Sequence, residues 1–441
     1  MKILIAVQHF PPNHTGGSEW EAFYSAAHLI KRGHDVRVVC IDRIDAGPAN
    51  GLAWTDEVYE GVPVRRLTFN IFQSPEPDRW EYDNPWIGAH LEQLFAEDPP
   101  DVFHLISGYL MSGRTILTAQ ELGIPTVVSL MDFWFLCRRV SMFRSDGGLS
   151  TLPIDPQTCV RCLSEDKRRH RLLRRLAPGL LDAYWRRQQD RRQVVEDRLA
   201  FLRAALSQAD VILSRSKFLG AFYDQAGFGD GRIRFVRQGQ DISHIPPGGL
   251  GKTPADTLRL GYLGQIAPLK GVHVLAEAVA GLPDLPLRLQ IYGNADANPA
   301  YTRRLHKLIG SAPNIEFAGV YRGQEGLNQV YRELDAVVVP SIWYENSPNV
   351  IVEAFARQTP VIASNLGGMA ELVQHEKNGL LFATGDAADL RRQLARLAQT
   401  PELLPRLRAG IEPVKTIAAE IDELEDLYRA AVLESKAAAL E

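Results

Sequence analysis

The sequence has few cysteines and no long apolar run. Four cysteines in 441 residues are too few for a disulfide scaffold, which indicates a reducing, cytoplasmic compartment. No stretch approaches the ~20 apolar residues that a membrane-spanning helix needs. The apolar run Ile3–Val7 is too short for the hydrophobic region of a signal peptide, and it predicts a first strand instead. The formal net charge of −4 gives no indication of nucleic-acid binding.

Two phosphate-binding signatures are also missing. The first strand, Lys2–Val7, leads through a turn with Gly16 and Gly17 into a predicted helix at Glu19–Arg32. That turn lacks the Gly-x-Gly-x-x-Gly pattern of dinucleotide-binding folds, so the glycine pair predicts either a plain tight turn or a close approach of backbone to a ligand. No Asp-x-Asp pair stands in an obvious metal–nucleotide position. The pattern therefore favours chemistry without a bound metal.

Predicted strands and helices alternate along the whole chain, which is typical of parallel, doubly wound α/β sheets. The Pro- and Gly-rich stretch 243–256 indicates an interdomain linker, and the length allows two domains of roughly 200 residues each. We predict a first domain at 1–242 with a Cys- and Arg-rich excursion at 131–207, a second domain at 252–411, a final helix at 412–435, and an expression-vector linker at 436–441.

The most informative stretch is 335–371. The β-branched run Asp335–Val339 predicts a strand that is buried on both faces, and a loop and a helix follow it. A second predicted strand, Pro360–Ala363, leads into the pair Gly367 and Gly368. In open α/β sheets, strand ends and helix N-termini meet in a crevice that binds ligands and attracts phosphate. A ligand site is therefore expected here.

Two carboxylates, Glu345 and Glu353, stand in this stretch with seven residues between them. Taken alone, Glu353 could be an acidic residue near a helix start, where its interaction with the helix dipole contributes about 0.3–1 kcal/mol of stability. Taken alone, Glu345 could be a solvated charge in a loop. Neither role explains the apolar and small residues around both. The combination of Glu-x7-Glu, a Pro-Val-Ile-Ala strand and Gly-Gly-x-x-Glu resembles the donor site of the retaining glycosyltransferases of family 4.

The resemblance implies the GT-B fold, in which two Rossmann-like, doubly wound parallel-sheet domains face a central cleft and the final helix packs on the first domain. It implies transfer of a sugar, with retention, from a UDP- or GDP-sugar to a hydroxyl acceptor. That acceptor would be a glycan or a lipid-linked intermediate of surface polysaccharide synthesis. By the same resemblance, Glu353 takes the ribose hydroxyls, and Glu345 holds the donor sugar with the backbone near Gly367 and Gly368.

The leaving diphosphate is expected to be stabilised by cationic and N–H groups, namely Lys270, the Gly16-Gly17 loop and the amides of Asn349 and Val350. Lys270 follows a strand and a Gly-containing turn, where a lysine acts either as a point charge on phosphate or as a plain surface charge. Family members usually carry Gly-Arg before this Lys-Gly pair, whereas this chain has Gln265, which can still donate a hydrogen bond but lacks the cationic charge. No cofactor is expected to be required for catalysis.

A second departure from the family pattern lies at Met131 and Asp132. Family members commonly have His-Asp here, with the histidine at the reaction centre. A thioether is no useful proton acceptor, so Asp132 is the candidate base for the acceptor hydroxyl or a group that holds the donor sugar. The alternative is that Asp132 caps the following turn. With Glu345 and Lys270, it completes the set of candidate catalytic residues. The aromatic run Phe133–Phe135 is expected to lie in the core rather than on an acceptor surface.

Three cysteines follow in the excursion. Cys159 and Cys162 form a Cys-x2-Cys pair, which is the close half of a structural zinc site, and Cys137 is a third candidate ligand. A fourth ligand would have to come from Asp146, Asp155 or His170. The alternative is that all three are free thiols in an excursion loop.

Arginine is concentrated in the segment 167–203, where leucine, tyrosine and tryptophan are interleaved with it. This composition favours a basic amphipathic surface on an anionic membrane and hence a peripheral location on the inner face of the plasma membrane. The alternatives are a solvated helix face with i,i+4 ion pairs and, third, RNA binding, which the sparse aromatic residues disfavour.

The sequence is also compatible with two other functions. One is different GT-B chemistry, such as a nucleotide-sugar epimerase or a hydrolase. The other is a catalytically silent nucleotide-sugar-binding scaffold, which Met131 and Gln265 favour.

Overall fold

The computed structural model describes the chain apart from residues 15, 166–169, 171–175, 177, 247–248, 311 and 439–441 and the side chains of 178, 180, 182 and 438. It divides into two compact units. Unit 1 comprises Met1–Gln238 and Ala418–Glu441, and unit 2 comprises Gly239–Ile417. No helix among the described residues combines the length and apolar character that crossing a bilayer requires.

Unit 1 is built on a sheet of eight strands in its described part. The strands are β1 (Lys2–Val7), β2 (Asp35–Arg43), β3 (Leu52–Tyr59), β4 (Val62–Phe69), β5 (Val102–Ile106), β6 (Thr126–Leu130), β7 (Val211–Ser214) and β8 (Ile233–Phe235). Their order is β3-β4-β2-β1-β5-β6-β7-β8, and all neighbours are parallel except the hairpin β3–β4. Its turn residues Glu60 and Gly61 both have positive φ, which suits a two-residue hairpin turn.

Helices connect and cover these strands. They are α1 (Gly17–Lys31), α2 (Pro77–Trp80), α3 (Pro85–Glu97), α4 (Arg114–Glu121), α5 (Pro156–Ser164), α6 (Pro178–Arg186), α7 (Gln189–Ser207) and α8 (Lys217–Gln225). Side-chain caps fix several helix starts. The Asn84 side chain accepts from two N–H groups of α3, Asp155 does the same for α5, and Ser216 caps α8.

Phe133, Trp134 and Phe135 are fully buried, which confirms their predicted place in the core.

The last helix of the chain, Ile417–Ala438, contributes most of its length to unit 1. The Tyr428 hydroxyl lies 2.7 Å from Nδ1 of His104 on β5, and Glu420 lies 2.7 Å from Arg215 after β7. Arg215 also pairs with Glu21 on α1, and all three charged side chains are buried. This ion-pair cluster joins the final helix to the helix that follows the Gly16-Gly17 turn.

Unit 2 is built on a parallel sheet of six strands in the described residues. The strands are β9 (Leu258–Leu263), β10 (Leu287–Tyr292), β11 (Ile315–Gly319), β12 (Ala336–Val339), β13 (Val361–Ser364) and β14 (Gly379–Phe382). Their order, β11-β10-β9-β12-β13-β14, is that of a Rossmann-type sheet, with its switch point between β9 and β12. The helices are α9 (Val272–Ala280), α10 (Pro299–Ile309), α11 (Gly323–Glu333), α12 (Asn349–Ala356), α13 (Gly367–Leu372), α14 (Ala387–Gln399) and α15 (Leu403–Ala409), and the final helix is α16.

The predicted basic segment 167–203 falls partly outside the described residues, since 167–169, 171–175 and 177 belong to the ranges left out. Its described part contains α6 and most of α7. Arg198 is buried and pairs with Glu81 at 3.0 Å, whereas Arg192 makes an i,i+4 pair with Glu196 at 2.7 Å. These two arginines therefore serve local structure.

Candidate functional site

The predicted donor site of unit 2 lies where β9, β12 and β13 end. Lys270 follows β9, Glu345 lies in the loop after β12, and Gly367 begins α13 after β13. The loops after β9 and β12 are in direct contact, since the Ile342 N–H donates to the Leu269 carbonyl at 2.9 Å. The predicted residues of unit 2 are thus gathered at the switch point of its sheet, which is where such folds bind ligands.

One oxygen of Glu345 organises this site. The Lys270 ammonium donates to Glu345 Oε1 at 2.8 Å, the Ser341 hydroxyl at 2.7 Å and the Trp343 indole N–H at 2.8 Å. Lys270 Nζ also lies 5.0 Å from the centre of the Trp343 ring, within the range of a cation–π contact. Glu345 is buried, so it is not the solvated loop charge of the alternative interpretation. Sequence reasoning missed Ser341 and Trp343, although their spacing of four and two residues before Glu345 is regular.

The glycine pair after β13 has a structural reason of its own. A Cβ on Gly368 would lie 1.5 Å from the Asn346 carbonyl oxygen, and the Gly368 N–H donates to the Glu345 carbonyl at 2.8 Å. Gly367 adopts φ +55°, which favours glycine. The two glycines therefore let α13 pack against the backbone of the Glu345 loop. Their predicted contact with a donor sugar is compatible with this packing and stays a prediction.

Glu353 lies in the second turn of α12. Burial raises the pKa of its carboxyl, and the charge of Arg357 opposes that rise only in part. Among the described residues, the Glu353 carboxylate has no hydrogen-bond partner, whereas its backbone carbonyl accepts from Arg357. A desolvated carboxylate without a donor is suited to bind ligand hydroxyls. No side chain caps the start of α12, so the N–H groups of Asn349 and Val350 point out of the helix end.

Gln265 contributes through its backbone. Its carbonyl accepts a hydrogen bond from the Tyr262 hydroxyl at 2.6 Å, and the residue itself is exposed. Gly264 before it has φ +149°, a backbone conformation that residues with a side chain rarely adopt. The side chain is therefore free to reach a ligand, but nothing in the described site fixes it there.

A second cluster lies in unit 1, at the ends of β1, β5 and β6. The Asp132 carboxylate accepts from the Trp134 N–H at 2.7 Å and from the Ser107 hydroxyl at 3.1 Å. The first contact is the turn cap of the alternative interpretation, and it does not preclude a chemical role. Burial raises the pKa of Asp132 to about 6 in spite of both hydrogen bonds. Ser107 itself has φ +67°, a strained value for serine.

The Gly16-Gly17 turn begins α1, with Gly16 at the N-cap. A Cβ on Gly16 would lie 2.4 Å from a carboxylate oxygen of Glu19, and Glu19 is buried beside Gln8, whose amide donates to it at 3.3 Å. Gly16 therefore leaves room for a buried carboxylate of its own helix. The predicted contact of this turn with a diphosphate stays a prediction.

The three cysteines of the excursion, Cys137, Cys159 and Cys162, are free and line one cavity of about 460 Å³. Burial, with contributions from the other two thiols, raises the pKa of Cys159 to about 12. In the part of the chain that the structure describes, no three His, Cys, Asp or Glu side chains are arranged to hold a metal ion. The three thiols as placed do not form a ligand set, and the structural zinc site stays a prediction that metal analysis of the purified chain tests.

Solved structures align with this chain over the residues of both units. HepE from Anabaena, solved in complex with UDP and glucose, aligns over 97% of this chain and 99% of its own with a TM-score of 0.64 at 17% identity. A sucrose-phosphate synthase from Thermosynechococcus elongatus aligns over 98% and 99% with a TM-score of 0.66 at 18% identity. The two doubly wound sheets and these likenesses define a GT-B glycosyltransferase fold, which confirms the predicted fold class.

The family follows from the sequence models. The model described as "Glycosyl transferase 4-like domain" matches residues 16–239, about half of the chain, and the model described as "Glycosyl transferases group 1" matches residues 257–400. The chain belongs to this glycosyl transferase 4-like, group 1 family. The family part of the resemblance inferred from Glu345 and Glu353 is thereby confirmed.

Individual curated relatives match smaller parts of the chain than these family models do together. A D-inositol 3-phosphate glycosyltransferase of Saccharomonospora viridis is 33% identical over 47% of this chain and 52% of its own length. The enzyme of the same name from Stackebrandtia nassauensis is 36% identical over 36% of this chain and 37% of its own length. The chain thus spans about half or less of the length of these relatives.

Proposed function

We propose that the chain is a retaining glycosyltransferase that moves a sugar from a UDP- or GDP-sugar to a hydroxyl group. The observation that carries the proposal is the pairing of Lys270 with Glu345 beside an uncapped helix start and the unpartnered Glu353 carboxylate. Together these groups offer a cation and N–H donors for a diphosphate and two carboxylates for hydroxyls. The family membership and the UDP complex of HepE support the same substrate class.

In the proposed reaction, the bond between the sugar C1 and the diphosphate oxygen breaks, and a bond from C1 to the acceptor oxygen forms on the same face. The departing oxygen carries the negative charge that Lys270 and the amides of Asn349 and Val350 stabilise. The acceptor proton passes to the leaving diphosphate or to Asp132, which is largely ionised at neutral pH because its pKa is about 6. No residue is assigned as a covalent nucleophile.

We propose a glycan or a lipid-linked intermediate of surface polysaccharide synthesis as the acceptor. The curated relatives carry names that specify inositol 3-phosphate, so a phosphorylated polyol is a second candidate acceptor. The two classes are separated by incubating the chain and labelled donor with each acceptor and identifying the labelled product.

The acceptor proposal includes contact with an anionic membrane. The described part of the basic segment has both apolar and basic side chains that are exposed: Leu176, Tyr184, Val194, Arg186, Arg187 and Arg191. Each base near such a surface contributes about 1 kcal/mol, so replacing the three arginines by glutamine should weaken vesicle binding about 100-fold. Replacing the exposed Arg303, Arg304 and Lys307 of unit 2 removes the same charge and serves as the control. Absence of binding to anionic vesicles at low salt would remove the membrane proposal.

The deciding experiment is turnover of labelled UDP-, GDP- and ADP-sugars with and without acceptor. We expect transfer by the wild-type chain, loss of transfer in Glu345→Ala, and no loss in Glu316→Ala, which alters an exposed acid of the same unit. Donor binding without turnover in the presence of every acceptor class would instead establish the silent scaffold. Formation of an isomerised or hydrolysed donor sugar would establish the epimerase or hydrolase.

A further inference from the structure

The two oxygens of Glu345 have different surroundings. Oε1 accepts all three hydrogen bonds of the side chain, from Lys270, Ser341 and Trp343. Within the described residues, Oε2 has no hydrogen-bond partner. A carboxylate oxygen has about two lone-pair directions, so Oε1 is fully occupied and Oε2 is the oxygen left to accept from a ligand hydroxyl.

Trp343 contacts both members of the ion pair. Its indole N–H donates to Glu345 Oε1 at 2.8 Å, and its ring face lies 5.0 Å from Lys270 Nζ. Ser341, Trp343 and Glu345 alternate along one loop, so the carboxylate is held by donors of its own loop. The indole is only half-buried, which distinguishes it from a core tryptophan such as the fully buried Trp134.

We propose that Trp343 is a positioning residue of the donor site. Its N–H holds Glu345 Oε1 so that Oε2 faces the donor sugar, and its ring supports Lys270 at the place where the diphosphate arrives. This role rests on the proposed function, because it assigns the sugar to Glu345 and the diphosphate to Lys270. It goes beyond that function because it assigns to Trp343 the positioning of both Glu345 and Lys270.

The pairing of Lys270 with Glu345 must change when a diphosphate binds. The Lys270 ammonium is paired with Glu345 at 2.8 Å, and a diphosphate that binds here competes for the same ammonium. When Lys270 turns to the diphosphate, Glu345 keeps the donors of Ser341 and Trp343. The carboxylate therefore stays in place for the sugar while the cation changes partner. Without the Trp343 N–H, only one donor would remain on Oε1.

The first test separates nucleotide binding from sugar binding. Trp343→Phe keeps a ring face for Lys270 but lacks the N–H, so UDP should bind within about twofold of wild type, while UDP-glucose affinity and kcat should fall about tenfold or more. Trp343→Leu also lacks the ring, and its UDP affinity should fall a further two- to fivefold. GDP and GDP-mannose replace the uridine pair if the wild type turns over guanosine donors. Trp54→Phe, on an exposed strand of unit 1, is the matched control and should change neither affinity.

A merely structural tryptophan would weaken UDP and UDP-glucose binding by the same factor, and that result would overturn the proposal. Ser341→Ala allows the same comparison of UDP and UDP-glucose affinity, because it removes another donor to Glu345 Oε1 and leaves the indole unchanged. If Trp343→Phe does not fold, Ser341→Ala must still show the larger loss for UDP-glucose, and an equal loss for both ligands would again count against the positioning role.

The second test needs no nucleotide. Trp343→Phe, Glu345→Gln and the double variant form a thermal-unfolding cycle of the ligand-free chain. Contact between the indole and the carboxylate predicts that the two shifts in Tm are non-additive, whereas additive shifts overturn the proposal. A wild-type chain that neither binds nor turns over any nucleotide sugar would refute the proposed function, and the cycle would still decide whether the Trp343 indole and the Glu345 carboxylate are energetically coupled.

Discussion

Gly271 passes so close to Pro340 that a Cβ on the glycine would lie 1.8 Å from the Pro340 carbonyl oxygen. Gly271 also has φ +68°, in the left-handed region that favours glycine. This approach brings Lys270, the preceding residue, against the loop that carries Glu345. The close packing of two backbone segments thus sets the geometry of the predicted donor site.

Gly271→Ala should separate the two segments. The added methyl group cannot be accommodated by a side-chain movement, since its nearest neighbour is backbone, and we expect a loss of stability above the ~1 kcal/mol that a left-handed alanine alone costs. We also expect nucleoside diphosphate affinity to fall. Thermal unfolding and calorimetric titration with UDP and GDP measure both effects.

Gly385→Ala is the matched control for this prediction. Gly385 also has positive φ, +76°, but the nearest atom to its added Cβ is a side-chain carbon 4.0 Å away. The control therefore carries the conformational penalty without the collision. Equal losses of stability in the two variants would mean that the approach to Pro340 is not required.

Lys270→Gln removes the cation from the Glu345 cluster but leaves the Ser341 and Trp343 donors in place. Because charge-assisted contacts to phosphate are the strong ones, affinity for UDP or GDP should fall about 10- to 100-fold and become less sensitive to salt. Lys377→Gln, which breaks an exposed ion pair with Glu412, should leave affinity unchanged. Nucleotide titration at two salt concentrations makes the comparison, and an unchanged affinity in Lys270→Gln would argue against diphosphate binding at this position.

The raised pKa of Asp132 predicts how the rate of the reaction depends on pH. Since burial raises its pKa to about 6, a reaction that needs the ionised carboxylate should lose kcat/KM tenfold per pH unit below pH 6. Asp132→Asn retains an oxygen for the Trp134 N–H, so a pure turn cap predicts nearly unchanged kcat and a base predicts a loss of about 100-fold or more. Asp155→Asn, at the cap of α5, is the control.

The same carboxyl has an opposite effect on stability. With a folded-state pKa above the ordinary value of 3.8, Asp132 binds more protons in the folded chain than in the unfolded chain between pH 3.8 and 6. Its contribution to the free energy of unfolding therefore decreases as pH rises through that window. Asp132→Asn should remove this decrease, and an identical pH dependence of Tm in both proteins would contradict the raised pKa.

Much of the fold followed from local patterns. The β-branched run Asp335–Val339 became β12, which begins one residue later and ends at the same residue, and the Asp335 carboxylate accepts from the Arg259 N–H and guanidinium. The strand predicted at Pro360–Ala363 became Val361–Ser364. Apolar runs and proline limits are local signals, and they located the strands before the Glu345 loop and after α12.

The contacts that build the two candidate sites could not be predicted from local sequence patterns. Gly271 and Pro340 are far apart in sequence, and the need for glycine arises only when their loops meet. The same holds for Trp343, whose indole could have pointed to solvent, and for Ser107, whose positive φ and contact with Asp132 depend on neighbouring strands. Side-chain direction in loops is set by such long-range packing, which no periodicity encodes.

The final helix contacts β5 through His104. Burial and the nearby Arg215 charge lower the pKa of His104 to about 3, so the folded chain keeps it neutral, with Nδ1 2.7 Å from the Tyr428 hydroxyl and Nε2 2.9 Å from the Ser129 hydroxyl. The unfolded chain protonates this histidine near pH 6.5. Between pH 6.5 and 3 the unfolded state therefore binds one more proton, and stability falls as pH falls, by up to about 1.4 kcal/mol per pH unit.

His104→Asn should flatten that acid dependence, whereas His14→Asn, at an exposed position of the same unit, should not. Tyr428→Phe tests the partner on the helix, because it leaves a buried ring nitrogen without its hydrogen bond and should cost about 1–3 kcal/mol at neutral pH. Urea unfolding at several pH values measures both effects. Unchanged stability in Tyr428→Phe would mean that the helix is held by the Arg215–Glu420 ion pair and apolar packing alone, whereas a loss confirms that the final helix is fixed to β5 through this histidine.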